Sequence, residues 1–308
     1  MAWVWDVPTG TFKNHALSSK IRREAIADVQ VMKFLRPEPG YGKHKGEAVT
    51  ITRILKLPLA GRVSETDRLP SGRPAIQTKQ VTVSQWGFKI PMTQFELDLA
   101  HFNMLNPFQA ALRDQMSLTM DVMGADALKT TPYKYIPTVA GGTFDTDGTP
   151  STLADKNLGI SDLRKLWDEM KGVLKVPTFR NGQYIAILST RAARGIKNDP
   201  EYKDWLAHTT SKPLLTGQLP AAVENFAIFE TNHTDAFADL AGASTTTGEA
   251  IVFGADAGFT IEVQTPELRA GIPEELGTFR EVGWVGTLEA GLTWEVAAQA
   301  RVIHITSS

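Results

Sequence analysis

Apolar residues return at helical spacing most clearly between residues 106 and 129. Phe108, Leu112, Met116, Met120, Met123 and Ala127 recur at steps of 4, 4, 4, 3 and 4, while Asp114, Ser117 and Asp121 fall off that stripe. Asn106 is a good N-cap and Pro107 suits the first turn, so a long amphipathic helix is expected from there to Lys129. A shorter helical stretch, Thr93–Met104, leads into it. The methionines on the stripe read as core fillers. Upstream the period changes to two. Glu47–Leu57 alternates, with Val49, Ile51, Leu55 and Leu57 on one side and Thr50, Thr52 and Lys56 on the other; Arg53 and Ile54 break the pattern. Gln77–Ile90 reads as a second strand, with Val81 and Val83 facing away from Thr82 and Ser84. The tip between them carries Pro58, Gly61, Arg62, Glu65, Asp67, Arg68, Pro70, Gly72, Arg73 and Pro74. A two-stranded ribbon is marginal in water. A hairpin this long therefore needs another surface, and in an oligomer that surface is a neighbouring subunit.

Residues 138–159 are rich in Gly, Thr and Asp and read as a loop or linker. Ser161 caps an expected helix through Leu174, with Leu163, Leu166, Trp167, Met170 and Leu174 on one face. A strand Tyr184–Leu188, a short helix Thr190–Lys197 and another from Asp199 or Pro200 to about Ala207 follow. Beyond the turn-rich Thr209–Pro220 come strands at Phe226–Glu230, Ala250–Phe253 and Phe259–Val263, then long strands across Gly277–Ile305. Helices and strands mix without a strand–helix–strand rhythm, so the fold class is α+β. The first 46 residues read as an arm. Trp3, Trp5, Val7 and Phe12 are apolar, prolines and glycines punctuate the segment, and one short helix over Ser18–Phe34 is expected from Ile21, Ala25, Ile26 and Val29. Extended, the arm spans up to about 150 Å; the alternative is a strand or coil tucked onto its own domain.

Composition narrows the class. With 308 residues, 42% hydrophobic and 21% charged, the chain has an ordinary globular balance and room for one large or two joined domains. It has no cysteine, which excludes disulfide and thiol chemistry and suits a reducing compartment. The start, Met-Ala-Trp-Val-Trp-Asp-Val-Pro, is acidic and proline-broken, unlike a secretory signal. Apolar runs such as Ile185–Leu188 are strand-sized, far short of the roughly 20 residues that span a bilayer, so a soluble protein is expected. Charge is polarised. Residues 11–46 carry eight Lys/Arg (Lys13, Lys20, Arg22, Arg23, Lys33, Arg36, Lys43, Lys45) against three acids, whereas residues 224–300 carry thirteen acids against Arg269 and Arg280. Either two faces are merely solvated, or a basic arm meets acidic surface on a neighbour and steers assembly. A sequence pI near 6.3 and the lack of a basic run disfavour a DNA-binding arm.

No chemistry-bearing constellation stands out. Gly40-Tyr41-Gly42-Lys43-His44 lacks the spacing of a phosphate loop and reads as a turn. His15, His44, His101, His208, His233 and His304 form no i,i+4 metal pair. There is no Gly-x-Ser-x-Gly elbow, and Glu274-Glu275 reads as an acidic turn. The reading is of a non-enzyme with no catalytic residue, metal or cofactor.

The order of elements resembles the major capsid proteins of tailed phages, a fold shared with bacterial encapsulin shells and herpesvirus capsid floors. The hairpin Gly46–Arg53, with Ser64-Glu65-Thr66-Asp67-Arg68 at its tip, resembles that family's extended E-loop. The Val81–Ile90 strand and the Asn106–Lys129 helix resemble the return strand and spine helix of its peripheral domain. Tyr184–Thr190, Asp199–Tyr202, Leu215–Gly217 and Asn225–Asn232 resemble its axial domain, and Phe279–Ile305 the strands returning to the peripheral domain. The resemblance implies an arm (1–46), an E-loop (47–90), a peripheral domain (91–155 and 265–308) and an axial domain (156–264). It further implies a virion capsid assembled in the host bacterial cytoplasm from copies of this chain as pentamers and hexamers around double-stranded DNA. Portal and scaffolding proteins are implied partners, with a decoration protein as an option. Because the arm begins at Met1 with no scaffolding segment before it, scaffolding is expected from a separate protein or not at all. Some relatives crosslink a hairpin lysine; Lys56 and Lys79 lie in that region, with no partner indicated. Candidate inter-subunit residues are Trp3, Trp5, Phe12, Arg22, Arg23, Lys43, Lys45, Arg62, Glu65, Asp67, Arg68 and Arg73. Thr209, Lys212, Thr216 and Gln218 would face the capsomere centre. Removing residues 1–40 is expected to leave a folded subunit that no longer closes shells. The alternatives are an encapsulin-like compartment shell and a soluble oligomeric enzyme without a recognisable motif.

Overall fold

The structure is a computed structural model and describes residues 25–39, 42, 44–65, 68–99, 105–179, 182–208, 222–243, 245–271 and 275–307. In chain order the elements are β1 (Arg36–Pro37), β2 (Ala48–Ile54), β3 (Ile76–Thr82), β4 (Ser84–Thr93), α1 (Gln94–Leu99), α2 (Leu105–Lys129), β5 (Lys134–Ile136) and β6 (Thr143–Asp145). Then come α3 (Ile160–Asp168), which runs on into a π-helical turn over Glu169–Val173, β7 (Tyr184–Ser189), α4 (Thr190–Asn198) and α5 (Pro200–His208). The remainder is β8 (Ala222–Val223), β9 (Phe226–Thr231), β10 (Asp239–Ala241), β11 (Thr246–Gly248), β12 (Ala250–Phe253), β13 (Gly258–Ala270), β14 (Phe279–Leu292) and β15 (Val302–Ile305).

A seven-stranded mixed sheet, ordered β6-β5-β15-β12-β7-β9-β8, carries the main core. Its central strands read as unbroken apolar runs because both faces are covered. Tyr184, Ala186, Leu188, Val252, Ile303 and Ile305 pack with Leu163, Leu166, Ala192, Ala193 and Ile196 of α3 and α4. Ile185, Ile187, Ile251, Phe253 and Val302 meet Met123, Ala125 and Leu128 of α2 and Leu288, Ala290 and Leu292 of β14. A second sheet, β1-β13-β14-β4, packs Met92, Val282 and the fully buried Trp284 against Leu112, and Trp284 Nε1 donates to Gln115 Oε1 at 2.6 Å. The expected helical stripe therefore serves two clusters: Phe108, Leu112 and Met116 in one, Met120, Met123 and Ala127 in the other.

Several expectations are corrected. The tail does not return as one unit: β14 pairs with β4 and β13, whereas β15 lies between β12 and β5 in the seven-stranded sheet. The same sheet takes β5 and β6, so part of the expected 138–159 loop is a strand. The helix expected to be capped by Ser161 is capped two residues earlier, at Gly159, and Asp162, fully buried, accepts the Gly159 amide at 2.9 Å. The return strand breaks at Val83, so β3 pairs with β2 and β4 with β14.

The arm changes most. The part of the expected Ser18–Phe34 helix within the described residues is not helical over 25–30, and a single 3-10 turn covers Val31–Lys33. Val31 and Leu35 are buried in the α2-facing core, and the Phe34 ring lies 4.9 Å from Phe229 and 5.8 Å from Phe253. Residues 31–38 are thus integral to the domain, with β1 added in parallel to β13. Removing residues 1–40 would strip Val31 and Leu35 from the core, which overturns the expectation that this deletion leaves the fold intact.

Candidate assembly surfaces

The β2–β3 hairpin pairs in strict register from Ala48↔Thr82 to Ile54↔Ile76. Its alternation is not broken at Arg53: Val49, Ile51 and Arg53 take the inward positions, and Ile54 points outward. Arg53, the one buried residue among the described residues of the hairpin, explains the exception. Its Nη1 donates to the Thr293 carbonyl at 2.7 Å, and its guanidinium lies 5.9 Å from the Trp294 ring. Lys79, on the facing strand, ion-pairs with Glu295. The root is therefore bolted to the 293–295 loop, while the outer end is not. Ile54 (65% exposed), Leu57, Leu59 (89%), Val63, Leu69 and Ile76 (64%) are all exposed. Ile54 and Ile76 are directly opposite partners, so they form one outward apolar step.

Of the candidate tip residues, Arg62, Glu65, Arg68 and Arg73 are exposed and make no hydrogen bond or ion pair with another described residue, and Lys45 is also exposed. Trp3, Trp5, Phe12, Arg22, Arg23, Lys43 and Asp67 lie outside the described residues, as do Thr209, Lys212, Thr216 and Gln218.

The arm's root is held by a residue that periodicity placed on the polar side of the helix. Asp121 is fully buried. Its Oδ1 accepts the Val31 and Met32 amides at 2.8 and 3.3 Å, and Oδ2 accepts the Gln30 amide at 3.4 Å. The carboxylate thereby caps the 3-10 turn from another element. His233 Nδ1, 3.3 Å from Oδ2, donates to it, since a carboxylate only accepts. One turn further along α2, a Cβ at Gly124 would sit 3.0 Å from Leu35 Cδ1 and 3.1 Å from Met32 Sδ. Asp121 and Gly124 together form the seat: one supplies acceptors, the other space. Thr231 Oγ1 donating to the Asp28 carbonyl (3.0 Å) and the Asp28 amide donating to Asn232 Oδ1 (2.8 Å) fasten the segment to the exit of β9.

A second buried network ties the C-terminal end of α2 to the large sheet. Lys129 Nζ lies 2.8 Å from Glu249 Oε2, and His304 Nε2 lies 2.6 Å from Oε1. Lys134 Nζ donates to His304 Nδ1 at 3.1 Å and to the Lys129 carbonyl at 2.6 Å, and the Ala238 amide donates to Glu249 Oε2 at 2.8 Å. Burial pushes the Glu249 carboxyl up, but the hydrogen bonds and charges of His304 and Lys129 outweigh it and hold the group at about 2. Burial lowers the His304 imidazole against the opposing Glu249 bond, and also lowers Lys134. His304 Nε2 faces the ionised Glu249 carboxylate as the donor of the 2.6 Å hydrogen bond. Both shifts act in one direction. The unfolded chain takes up protons on a free histidine below about 6.5 and on a free glutamate below about 4.5, where the folded sites resist. Subunit stability is expected to fall as pH drops from about 6.5 towards 2, with Glu249 responsible for roughly 3 kcal/mol of the loss below about 4.5. Melts of the unassembled Glu249→Gln subunit should show a flatter acid limb than wild type; an unchanged slope between pH 5 and 3 (about the carboxylate range) would count against this assignment.

Among the described residues no three His, Asp or Glu side chains converge as a metal site, and no helix is long and apolar enough to cross a membrane. The chemistry these surfaces support is association: an apolar, charged-tipped ribbon and an arm whose root is rigidly seated.

No protein-family profile matches the sequence, and no curated protein sequence does. Solved structures do. The capsid asymmetric unit of cyanophage Pam1 is similar with a TM-score of 0.76 at 14% identity, over 96% of each chain. The acid-stable capsid of Helicobacter pylori bacteriophage KHP30 has a TM-score of 0.71 at 11% identity, over 97% of this chain and 96% of that one. The mature capsid of bacteriophage PhiM1 has 0.67 at 12%, over 99% and 96%. The chain has the α+β fold of phage capsid proteins, as the resemblance in element order implied.

Proposed function

We propose that this chain is a major capsid protein. It self-assembles into pentamers and hexamers that close an icosahedral phage head around packaged double-stranded DNA, enclosing the DNA without reading its sequence. The observation that carries this reading is the hairpin: six large aliphatic side chains exposed between residues 54 and 76 on a ribbon with one buried residue among those described. A monomer gains nothing from that arrangement, whereas a neighbour that covers it converts each exposed side chain into interface energy. The match to capsid chains over nearly the whole length supports the same reading.

In this assignment residues 47–83 are the clasping E-loop, the rest of the expected 47–90 span being β4 of the four-stranded sheet, with Lys45, Arg62, Glu65, Arg68 and Arg73 at or near its contacts with adjacent subunits. Trp3, Trp5, Phe12, Arg22, Arg23, Lys43 and Asp67 belong to the same contacts, and Thr209, Lys212, Thr216 and Gln218 face the capsomere centre. The four-stranded sheet with α2 forms the peripheral domain. The seven-stranded sheet forms the axial domain, to which β5, β6 and β15 are reassigned from the peripheral segments. The role is structural rather than enzymatic, in the virion, with assembly in the host cytoplasm and portal and scaffolding proteins as partners. The test is the content of purified particles. Nuclease-protected double-stranded DNA supports the head; particles filled with protein and no DNA would transfer the chain to the compartment-shell reading.

A further inference from the structure

Residues 209–221, outside the described residues, are entered from α5 and left through β8, the two-residue strand at one edge of the seven-stranded sheet. β8 turns back into β9 through Glu224 and Asn225, with Val223 paired to Phe226. Both turn residues have positive φ, 47° and 62°, the signature of a type I′ hairpin turn. Asparagine tolerates that conformation. Glutamate at the first position is strained in it and persists only where its surroundings hold it. What holds it here is Arg164 of α3. Its Nε donates to Glu224 Oε1 at 2.8 Å, its Nη1 donates to Glu201 Oε1 at 3.0 Å, and its guanidinium lies 5.5 Å from the Trp205 ring. Glu201 and Trp205 are one turn apart on α5. One guanidinium therefore grips the helix before the segment and the turn after it.

We infer that Arg164 is the positioning residue for this part of the subunit: it fixes α5 and the β8–β9 turn to α3, and so to each other. Surface ion pairs taken singly contribute little, and these side chains are 27–48% exposed. Two features set this one apart. The guanidinium is a planar fork, so one side chain meets two carboxylates and a ring at once, which the single ammonium of a lysine cannot reproduce. One of those carboxylates also belongs to a strained turn, so the ion pair and the turn depend on each other. The domain core does not need the clamp, because Tyr202 of α5 and Val223 of β8 are already buried in it. Arg164 therefore contributes aim rather than stability. The clamp stands on this geometry alone. Its consequence for assembly rests on the reading of Thr209, Lys212, Thr216 and Gln218 as residues of the capsomere centre.

Amide exchange and melting of the unassembled full-length subunit test the clamp. Arg164→Ala should leave the melting temperature within about 2 °C of wild type. It should speed exchange about fivefold both in α5 and across residues 222–226. Arg164→Lys should recover less than half of that protection. Adding Glu224→Asn to Arg164→Ala relieves the turn, so protection should return at 222–226 and not in α5. Under assembly conditions Arg164→Ala should lower the yield of closed particles about tenfold, although its subunit melts normally. Exchange that stays at the wild-type rate, or that rises on one side of the segment only, would overturn the clamp. Normal shells from a variant whose exchange has risen on both sides would overturn its role in assembly and leave the capsid reading intact. Wild-type protein that forms no shells would count against the capsid reading instead, with the clamp still decided by exchange.

Discussion

With Ile54→Glu and Ile76→Glu together, the subunit will fold normally and its shells will not close. The two side chains face each other across the last rung of the β2–β3 ladder and are 65% and 64% exposed, so neither contributes to the monomer's core. Surface substitutions of this kind change monomer stability by about 0.5 kcal/mol or less. Under a neighbouring subunit the balance reverses. Each isoleucine removed from contact forfeits about 1.5–3 kcal/mol, and two opposed carboxylates would have to be dehydrated at the same spot. The penalty recurs at every copy of the contact, so a loss modest per subunit is prohibitive for a closed shell. The check is paired: an unchanged melting curve for the unassembled protein, and absence of closed particles under conditions where wild type forms them. Normal shells from this variant would show that the outward step is not buried on assembly.

Asp121→Ala will have the largest effect on the subunit itself. It removes the acceptor of three backbone amides and of His233, at a carboxylate that is itself fully buried. A buried donor left without a partner costs about 1–3 kcal/mol, and the donors here share one carboxylate, so the expected loss is about 3–5 kcal/mol rather than the plain sum. Asp121→Asn keeps one carbonyl acceptor and should lose less than half as much. Denaturant titration of the unassembled chain measures both. The protection of residues 28–35 from amide exchange should collapse in the alanine variant first, because that segment is what the carboxylate holds. A shift under about 1 kcal/mol for Asp121→Ala would mean the arm's root is held by its apolar contacts alone.

These two sites mark where the sequence was readable and where it was not. The β7 run Tyr184–Ser189, the β12 run Ala250–Phe253 and the α2 stripe were legible because the local period reports burial directly. Ile54 and Arg53 looked like errors in an alternating strand. The strand in fact keeps its period, and only the residue types are exchanged, an arginine inward onto Thr293 and Trp294 and an isoleucine outward. Asp121 was assigned to a solvated face because its partners are about 90 residues away, and no local pattern encodes a cap of that range. The same contact explains why the expected α-helix is absent over residues 25–34: amides that an isolated helix would satisfy internally are taken by a carboxylate on α2. The placement of β15 beside β5 and β12 depends on pairings such as His304↔Lys134 and Ile303↔Val252, whose register appears only in three dimensions. The tip arginines were identified as candidates by charge alone, and their exposure without described partners is compatible with that reading.

The measurement that reaches the central claim most directly is a density map of assembled particles at side-chain detail. The account predicts closed shells in which the hairpin from residue 54 to 76 lies on an adjacent subunit, with Ile54, Leu59, Leu69 and Ile76 covered by it. Shells in which the hairpin folds back on its own subunit, or a protein that remains in small discrete oligomers at every concentration, would contradict it.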